Sequence, residues 1–164
     1  MYKDEDNITP EKWINLEVTT NQMVPTWWIK KDFEICDSAI VAGTYMTPLT
    51  DAETIASQMA DLAFGYWKKF NRYDEFTYYC TSRSLEFYPM NPNAWIIRGK
   101  SLEQMIKKHL MRNGNTIDEY AAHLIRQMEE TKRRLSRTYM TVETAESRDR
   151  RKKEIIEARK LIKE

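Results

Sequence analysis

Cys36, Cys80, His109 and His123 are the residues from which nucleophilic or metal chemistry would have to be assembled in this chain. A thiol or hydroxyl acts as a nucleophile only with a base within hydrogen-bond reach. Both histidines lie in the C-terminal half and both cysteines in the first half, so no local spacing builds such a pair. An ordinary packed or surface histidine is expected at each position. Glu119 and His123 fall four apart and so share a helix face. A zinc site needs at least three protein ligands, and no second ligand pair lies nearby, so no metal is expected. Two cysteines make no disulfide framework. Their apolar and aromatic neighbours favour buried free thiols, and a single bridge between them stays open. The chain has only four glycines and no phosphate-cradling loop, which argues against nucleotide binding. No catalytic set and no cofactor are expected.

Charge separates along the chain. Residues 1–97 carry 8 Lys/Arg and 14 Asp/Glu, whereas 98–164 carry 18 and 11, giving −6 and +7 within a formal net charge of +1. A dipolar chain can favour head-to-tail contacts or an acidic partner for its basic half, although exposed helices also need charge for solubility. Arg126, Lys132, Arg133, Arg134, Arg137 and the run from Arg148 to Lys153 could follow a phosphate backbone. Glu129, Glu130, Glu143, Glu146, Asp149, Glu154 and Glu157 interrupt them, and no aromatic stacking platform accompanies them. Nucleic acid is therefore not the expected partner. No stretch approaches the roughly 18 apolar residues of a membrane span. The opening MYKDEDN is too acidic and polar for a secretory signal. A cytoplasmic location is the default expectation, and an extracytoplasmic one applies if an upstream signal is removed.

Three stretches of different character position these residues. In residues 1–50, Ile14, Leu16 and Val18 alternate with more polar neighbours, the period-two pattern of a half-buried strand. Tyr2-Lys3-Asp4 is its expected hairpin partner, through a loop over Asp6 to Pro10. An isolated hairpin is marginal, and Trp27, Trp28, Phe33 and Ile35 are candidates to pack on it. Trp27 and Trp28 also offer a candidate exposed aromatic patch. Asp37 to Ala42 predicts one or two helical turns stopped by Gly43.

Residues 51–139 predict helices. The capping box Thr50-Asp51-Ala52-Glu53 opens the first, with Ile55, Met59, Leu62, Ala63, Tyr66 and Trp67 at helical spacing. Asn71-Arg72 marks a turn, and a second helix is expected from Tyr73 to Phe87, stopped by Pro89 and Pro92. Asn93 is expected to cap a third helix carrying Trp95, Ile96, Leu102, Met105 and Ile106, ended by Asn113-Gly114-Asn115. A further box, Thr116 to Glu119, is expected to open a fourth, lined by Ile117, Ala121, Leu124, Met128 and Leu135. Trp67 and Trp95, with Trp27 and Trp28, are expected as core wedges. Residues 140–164 are dominated by charge beside the narrow stripe of Ile155, Ile156, Leu161 and Ile162. They predict a helix that caps the last pair, frays, or docks on a neighbouring chain as a homo-oligomer contact.

The spacing of Pro89, Trp95 and Gly99, with Leu102, resembles the tetratricopeptide repeat. Ala60, Ala63, Phe64 and Trp67 take the equivalent first-helix places one repeat earlier. Phe76 and Cys80 depart from it where the family has small residues, and Gly65 lies one place from its expected position. The resemblance covers residues 51–135 and implies a mainly α fold of antiparallel helix pairs wound as an α-α superhelix. Its function would be to hold a protein or peptide partner on a concave face formed by the first helices. In that register the face carries Gln58, Asp61, Lys68, Asn93, Ile96, Lys100, Glu103 and Gln104, a mixed polar set suited to a peptide of both charge signs.

A second resemblance covers about ten residues. Trp13 to Thr19 is similar to the strand of transglutaminase-like, papain-type folds that ends in Trp-x-x-x-Asp-x-Thr, with Glu17 at the aspartate position. Bacterial proteins of that kind can continue from this strand into helical repeats. The family's cysteine and histidine have no counterpart before Trp13, so this alternative makes the chain the C-terminal part of an enzyme-derived protein without its nucleophile. The leading expectation is a non-catalytic binding or assembly module.

Overall fold

The computed structural model describes residues 25–140 and four two-residue strands, at 2–3, 13–14, 16–17 and 22–23. The expected loop over Asp6 to Pro10, Val18, and all of 141–164, including the charged C-terminal stripe, lie outside the described residues. The strands pair antiparallel, β1 (Tyr2–Lys3) with β2 (Trp13–Ile14) and β3 (Leu16–Glu17) with β4 (Gln22–Met23). The described chain is otherwise mainly helical: α1 (Thr26–Asp32), α2 (Asp37–Val41), α3 (Asp51–Phe70), α4 (Glu75–Phe87), α5 (Pro92–Arg112) and α6 (Glu119–Ser136).

Local chemistry sets the helix ends. Thr50 and Glu53 form the expected reciprocal cap of α3, and Asn71 closes it in the left-handed conformation, φ 50°. Asparagine tolerates that region because its short amide can bond locally. Three starts differ from the sequence expectation. Helix α4 begins at Glu75, because Asp74 accepts from the Phe76 N–H at 3.0 Å while Thr77 bonds back to the Asp74 N–H at 2.9 Å. Helix α5 is capped by Asn91, which accepts from Ala94 N–H at 3.1 Å, not by Asn93. Pro92 therefore starts this helix rather than only blocking the one before, since its missing N–H costs nothing at the first position. Helix α6 is capped by Asp118 through Ala121 N–H at 2.9 Å, in place of the Thr116 box. Ile117 falls outside it and is 64% exposed.

Contacts run in register. Ser84 on α4 reaches Ala56 on α3, Cys80 meets Ala63, and Asp74 meets Tyr66. Rising numbers on α3 meet falling numbers on α4, so the two are antiparallel. The same holds between α4 and α5, where Leu85 meets Ala94 and Trp95, Cys80 meets Ile97, and Thr77 meets Ser101. Between α5 and α6, Trp95 shares a cluster with Leu135, Arg98 meets Thr131, and His109 meets Asp118. Helices α3 and α5 also touch, with Ala60 beside Ala94 and Trp95, and Ala63 beside Ile97. These two therefore run parallel.

The seam between α3 and α4 is built of small and hydroxylated residues. Ala56, Ala60 and Ala63 face Thr77, Cys80, Thr81, Ser84 and Leu85. Small side chains let the axes approach, and the hydroxyls are satisfied inside the seam. Ser84 Oγ donates to the Ala56 carbonyl at 2.6 Å and Thr81 Oγ1 to the Thr77 carbonyl at 2.7 Å. The Thr77 and Ser101 hydroxyls lie 2.7 Å apart. Among the described residues no buried side-chain nitrogen or oxygen lacks a partner. This seam shifts the expected register: Ile55 (66%) and Leu62 (56%) are exposed, and Phe76 stands outside while Thr77 is buried. A stripe on α3 and α4 (Ile55, Leu62, Phe70, Phe76, Tyr79, Phe87) thus faces outward.

The segment before α3 is tied to the residues that follow α6. Thr44 Oγ1 donates to the Thr138 carbonyl at 2.8 Å, and the Cys36 thiol to the Tyr139 carbonyl at 3.5 Å. Gly43 ends the α2 turn at φ 75°. Trp95 is buried as expected and Trp67 half-buried. Trp27 and Trp28 are both exposed, so they are not the core wedges predicted and match instead the alternative of an exposed aromatic pair; Phe33 is more than half exposed as well.

Candidate functional site

Parallel placement of α3 and α5 leaves a groove between them of about 300 Å³, lined by Ala60, Asp61, Phe64, Tyr73, Asn93, Ile96 and Ile97. Its floor is apolar, with Ala60 and Ile97 buried, and its rim carries Asp61 and Asn93, both exposed. Tyr73 closes one end. Its ring stacks on Trp67, centroids 5.5 Å apart at 12°, and burial pushes its phenol above the ordinary tyrosine range. The Lys68 ammonium lies over the Phe64 and Trp67 rings, at 5.3 and 5.0 Å from their centroids. Such contacts hold a cation beside an aromatic wall without a carboxylate.

A second concavity, about 670 Å³, opens on the other side of Tyr73. The turn residues Arg72, Asp74 and Glu75 form one wall, and Gln104, Met105, Lys107, Lys108, Met111 and Arg112 of α5 form the other. It exists because α5 is 21 residues long and α4 only 13. The end of α5 overhangs the turn before α4. Arg72 is engaged: its Nε lies 2.9 Å from the Tyr66 hydroxyl and 3.1 Å from Asp74 Oδ2.

Of the eight residues predicted for the concave face, Asp61, Asn93 and Ile96 come together in the first groove and Gln104 lines the second. Lys100 and Glu103, both exposed, pair with each other at 3.4 Å and line neither groove. Gln58 is exposed on α3 outside both grooves, and Lys68 lies against its own helix's rings. Phe64, Tyr73, Lys107, Lys108 and Arg112 were not among the predicted residues. The helical period gives the missing signal: Asn93, Ile96, Ile97, Gln104, Lys107, Lys108 and Met111 fall at steps of three, four or seven along one face of α5.

The chemistry-bearing residues do not converge. Cys80 is buried against Ala63 and Ile97, and burial pushes its thiol up. His109 lies twelve positions beyond Ile97, about 18 Å along the helix. Its Nε2 sits 2.9 Å from Asp118 Oδ2 and its ring meets Tyr120 edge-on at 4.9 Å. That makes it a strut between α5 and the start of α6. Both cysteines are free, Cys36 exposed and Cys80 buried. His123 shares a shallow surface hollow with Asp118, Glu119, Tyr120 and Arg126. Among the described residues, no three His, Cys, Asp or Glu side chains come close enough to hold a metal ion. No described helix is long and apolar enough to cross a membrane. Glu17, the aspartate-position residue of the transglutaminase-like resemblance, lies on β3 opposite Gln22.

Arg98 is the buried cation among the described residues, 7% exposed. It donates to Ser82 Oγ at 3.1 Å, Gln127 Oε1 at 2.6 Å, the Gln127 carbonyl at 3.4 Å, Tyr78 Oη at 3.3 Å and Thr131 Oγ1. Its guanidinium lies over the Tyr78 and Trp95 rings. With its donors taken by neutral acceptors from α4 and α6, it joins three helices and has no donor left for a ligand.

Compared with protein-family models, curated proteins and solved structures, the chain matches none.

Proposed function

We propose that the chain is a non-catalytic module that binds an extended segment of another protein, built from two tandem helix pairs, α3/α4 and α5/α6, in tetratricopeptide-like order. The first helices, α3 and α5, line the binding face, and the preceding short strands act as an N-terminal hairpin segment. The supporting observation is the groove between the parallel helices, where Asp61 and Asn93 face each other across an apolar floor. That arrangement suits a peptide whose backbone takes hydrogen bonds from the rim while one side chain enters between Phe64 and Ile96.

The test is selection from a random twelve-residue peptide display library, followed by anisotropy titration of the selected peptides. The double variant D61A/N93A and the single variant I96A should each weaken binding about tenfold or more with the melting temperature of D61A/N93A unchanged. An R83A control on the outer face of α4 should bind as the parent does. Equal affinity in all four proteins, or no peptide enriched, would remove the proposal.

A further inference from the structure

Resting on that reading, we propose that the bound segment is acidic at one end, and that this end lies in the second concavity against Lys107, Lys108 and Arg112. Three observations carry this. The two grooves share Tyr73 as a common wall. They also share α5: Asn93, Ile96, Gln104, Lys108 and Met111 lie along one helix face, so the grooves form one track about 27 Å long at 1.5 Å per residue. An extended peptide of eight or so residues spans that length.

The track is electrically polar. At the Asn93 end the ionised side chain is Asp61. At the Arg112 end, Lys107, Lys108 and Arg112 have no carboxylate partner among the described residues, while Arg72 is already taken up by Tyr66 and Asp74. One further carboxylate, Glu75, stands opposite these three cations, on the wall it shares with Arg72. Unpaired cations converging on a concavity raise the local concentration of an anionic ligand and fix its direction. The buried Met105 forms an apolar floor here, and Met111, 70% exposed, stands at the rim. A peptide that alternates carboxylates with an apolar side chain matches such a floor. A nucleic acid strand would meet Glu75 and Asp74 on one wall and no open aromatic face for its bases.

The experiment uses the whole chain and four fluorescein-labelled octapeptides sharing one apolar-amide half. The other half is Glu-Leu-Glu-Glu, Ser-Leu-Ser-Ser or Lys-Leu-Lys-Lys, and a fourth peptide has the acidic half placed first. The acidic peptide in one orientation should bind about tenfold tighter than the serine peptide at low salt, and the lysine peptide weakest. The preference should shrink as salt screens it. In K107E/K108E/R112E, whose sites are exposed and should leave the fold intact by circular dichroism, the order of acidic and lysine peptides should reverse while the serine peptide is unaffected. Serine-peptide binding without any acidic preference overturns this inference and leaves the binding module standing. Failure of all four peptides to bind, when display-selected peptides bind, also overturns it. A twenty-nucleotide single strand that competes as well as the acidic peptide would replace the peptide with nucleic acid.

Discussion

The indole Nε1 of Trp95 donates to the carbonyl oxygen of Pro89 at 2.7 Å. The six-residue interval between them has a physical origin. Pro89 lies in the turn, Asn91 caps α5, and one helical turn later Trp95 points back over the cap to close the turn's free acceptor. The ring meanwhile packs with Ala60, Leu85 and Ala94, so one side chain joins α3, α4 and α5. Trp95→Ala should cost about 3–5 kcal/mol, and Trp95→Phe, which retains most apolar area and loses the donor, about 1–2 kcal/mol. Urea denaturation of the two variants checks the ordering, and equal losses would deny the hydrogen bond any separate part.

Gly99 leads to a prediction about its size. The repeat-like spacing four residues after Trp95 would suit a small residue packed against a neighbouring helix. A Cβ built there, however, would meet only Thr131 Cγ2, at 3.7 Å, an ordinary contact. Gly65, inside α3, has nothing within 4 Å. A helical glycine with room for a methyl is a cost in backbone entropy alone. Gly99→Ala and Gly65→Ala should therefore each stabilise by about 0.5–1 kcal/mol, seen as a higher urea midpoint at unchanged slope. The close approach that a glycine would provide is achieved instead by the alanines of α3 and the hydroxyl residues of α4.

That contrast marks what the sequence disclosed. Helix existence and order followed from caps, breakers and period: Thr50 with Glu53, Asn71 at the turn, Gly114 after α5. The starts of α4, α5 and α6 were each missed by two residues, because the caps that form are Asp74, Asn91 and Asp118, and capping-competent residues lie close together at the last two. The buried face of α3 was legible in part. Ala60 and Ala63 are buried as their register implied, but Ile55 and Leu62, which the hydrophobic period also favours, are exposed because a seam that needs small volume took Ala56 in their place. In the candidate site, Asp61, Asn93 and Ile96 were legible from the helix register. Tyr73 and the basic end of α5 were not, since they depend on how far one helix overhangs its neighbour.

Arg98 should tolerate no simple replacement. Its planar fork reaches five acceptors on two neighbouring helices, and a lysine carries its three donors on one nitrogen and cannot span them. Arg98→Lys is expected to lose about 2–4 kcal/mol, through stranded acceptors at the buried Thr131 and the half-buried Ser82, Tyr78 and Gln127. Arg98→Met keeps the stem's packing and should fall in the same range. Thermal unfolding of both, with tryptophan fluorescence reporting Trp95, distinguishes this from a solvated arginine, whose loss would move the midpoint hardly at all.

Asp118 gives the fold an acid-sensitive joint. Its carboxylate accepts from Ala121 N–H, from His109 and from Asn113. The first two of these, in that order, hold it below the ordinary aspartate range. A folded-state value lower than the unfolded one means the ionised form favours folding. The contribution is complete above about pH 4, where the unfolded chain's aspartate is ionised. It is lost as pH falls through the lower folded value. Asp118→Asn keeps an N-cap acceptor but removes the charge, so its stability should fall less steeply between about pH 4 and pH 2 than the parent's. Denaturation curves at stepped pH check the slopes, and identical slopes would place the acid response elsewhere.

The two thiols should separate cleanly by rate. Cys36 is exposed, its thiol resting on the Tyr139 carbonyl where the α2 segment meets the end of α6. Cys80 is 4% exposed within the α3–α4–α5 packing, and burial disfavours its thiolate, the reactive form. Ellman's reagent under native conditions should titrate one thiol per chain rapidly and the second only on unfolding. Cys36→Ser should abolish the fast phase alone. Two fast thiols would mean that the α3–α4 seam opens on the timescale of labelling, and Cys80 labelling followed against urea would then measure the free energy of that opening.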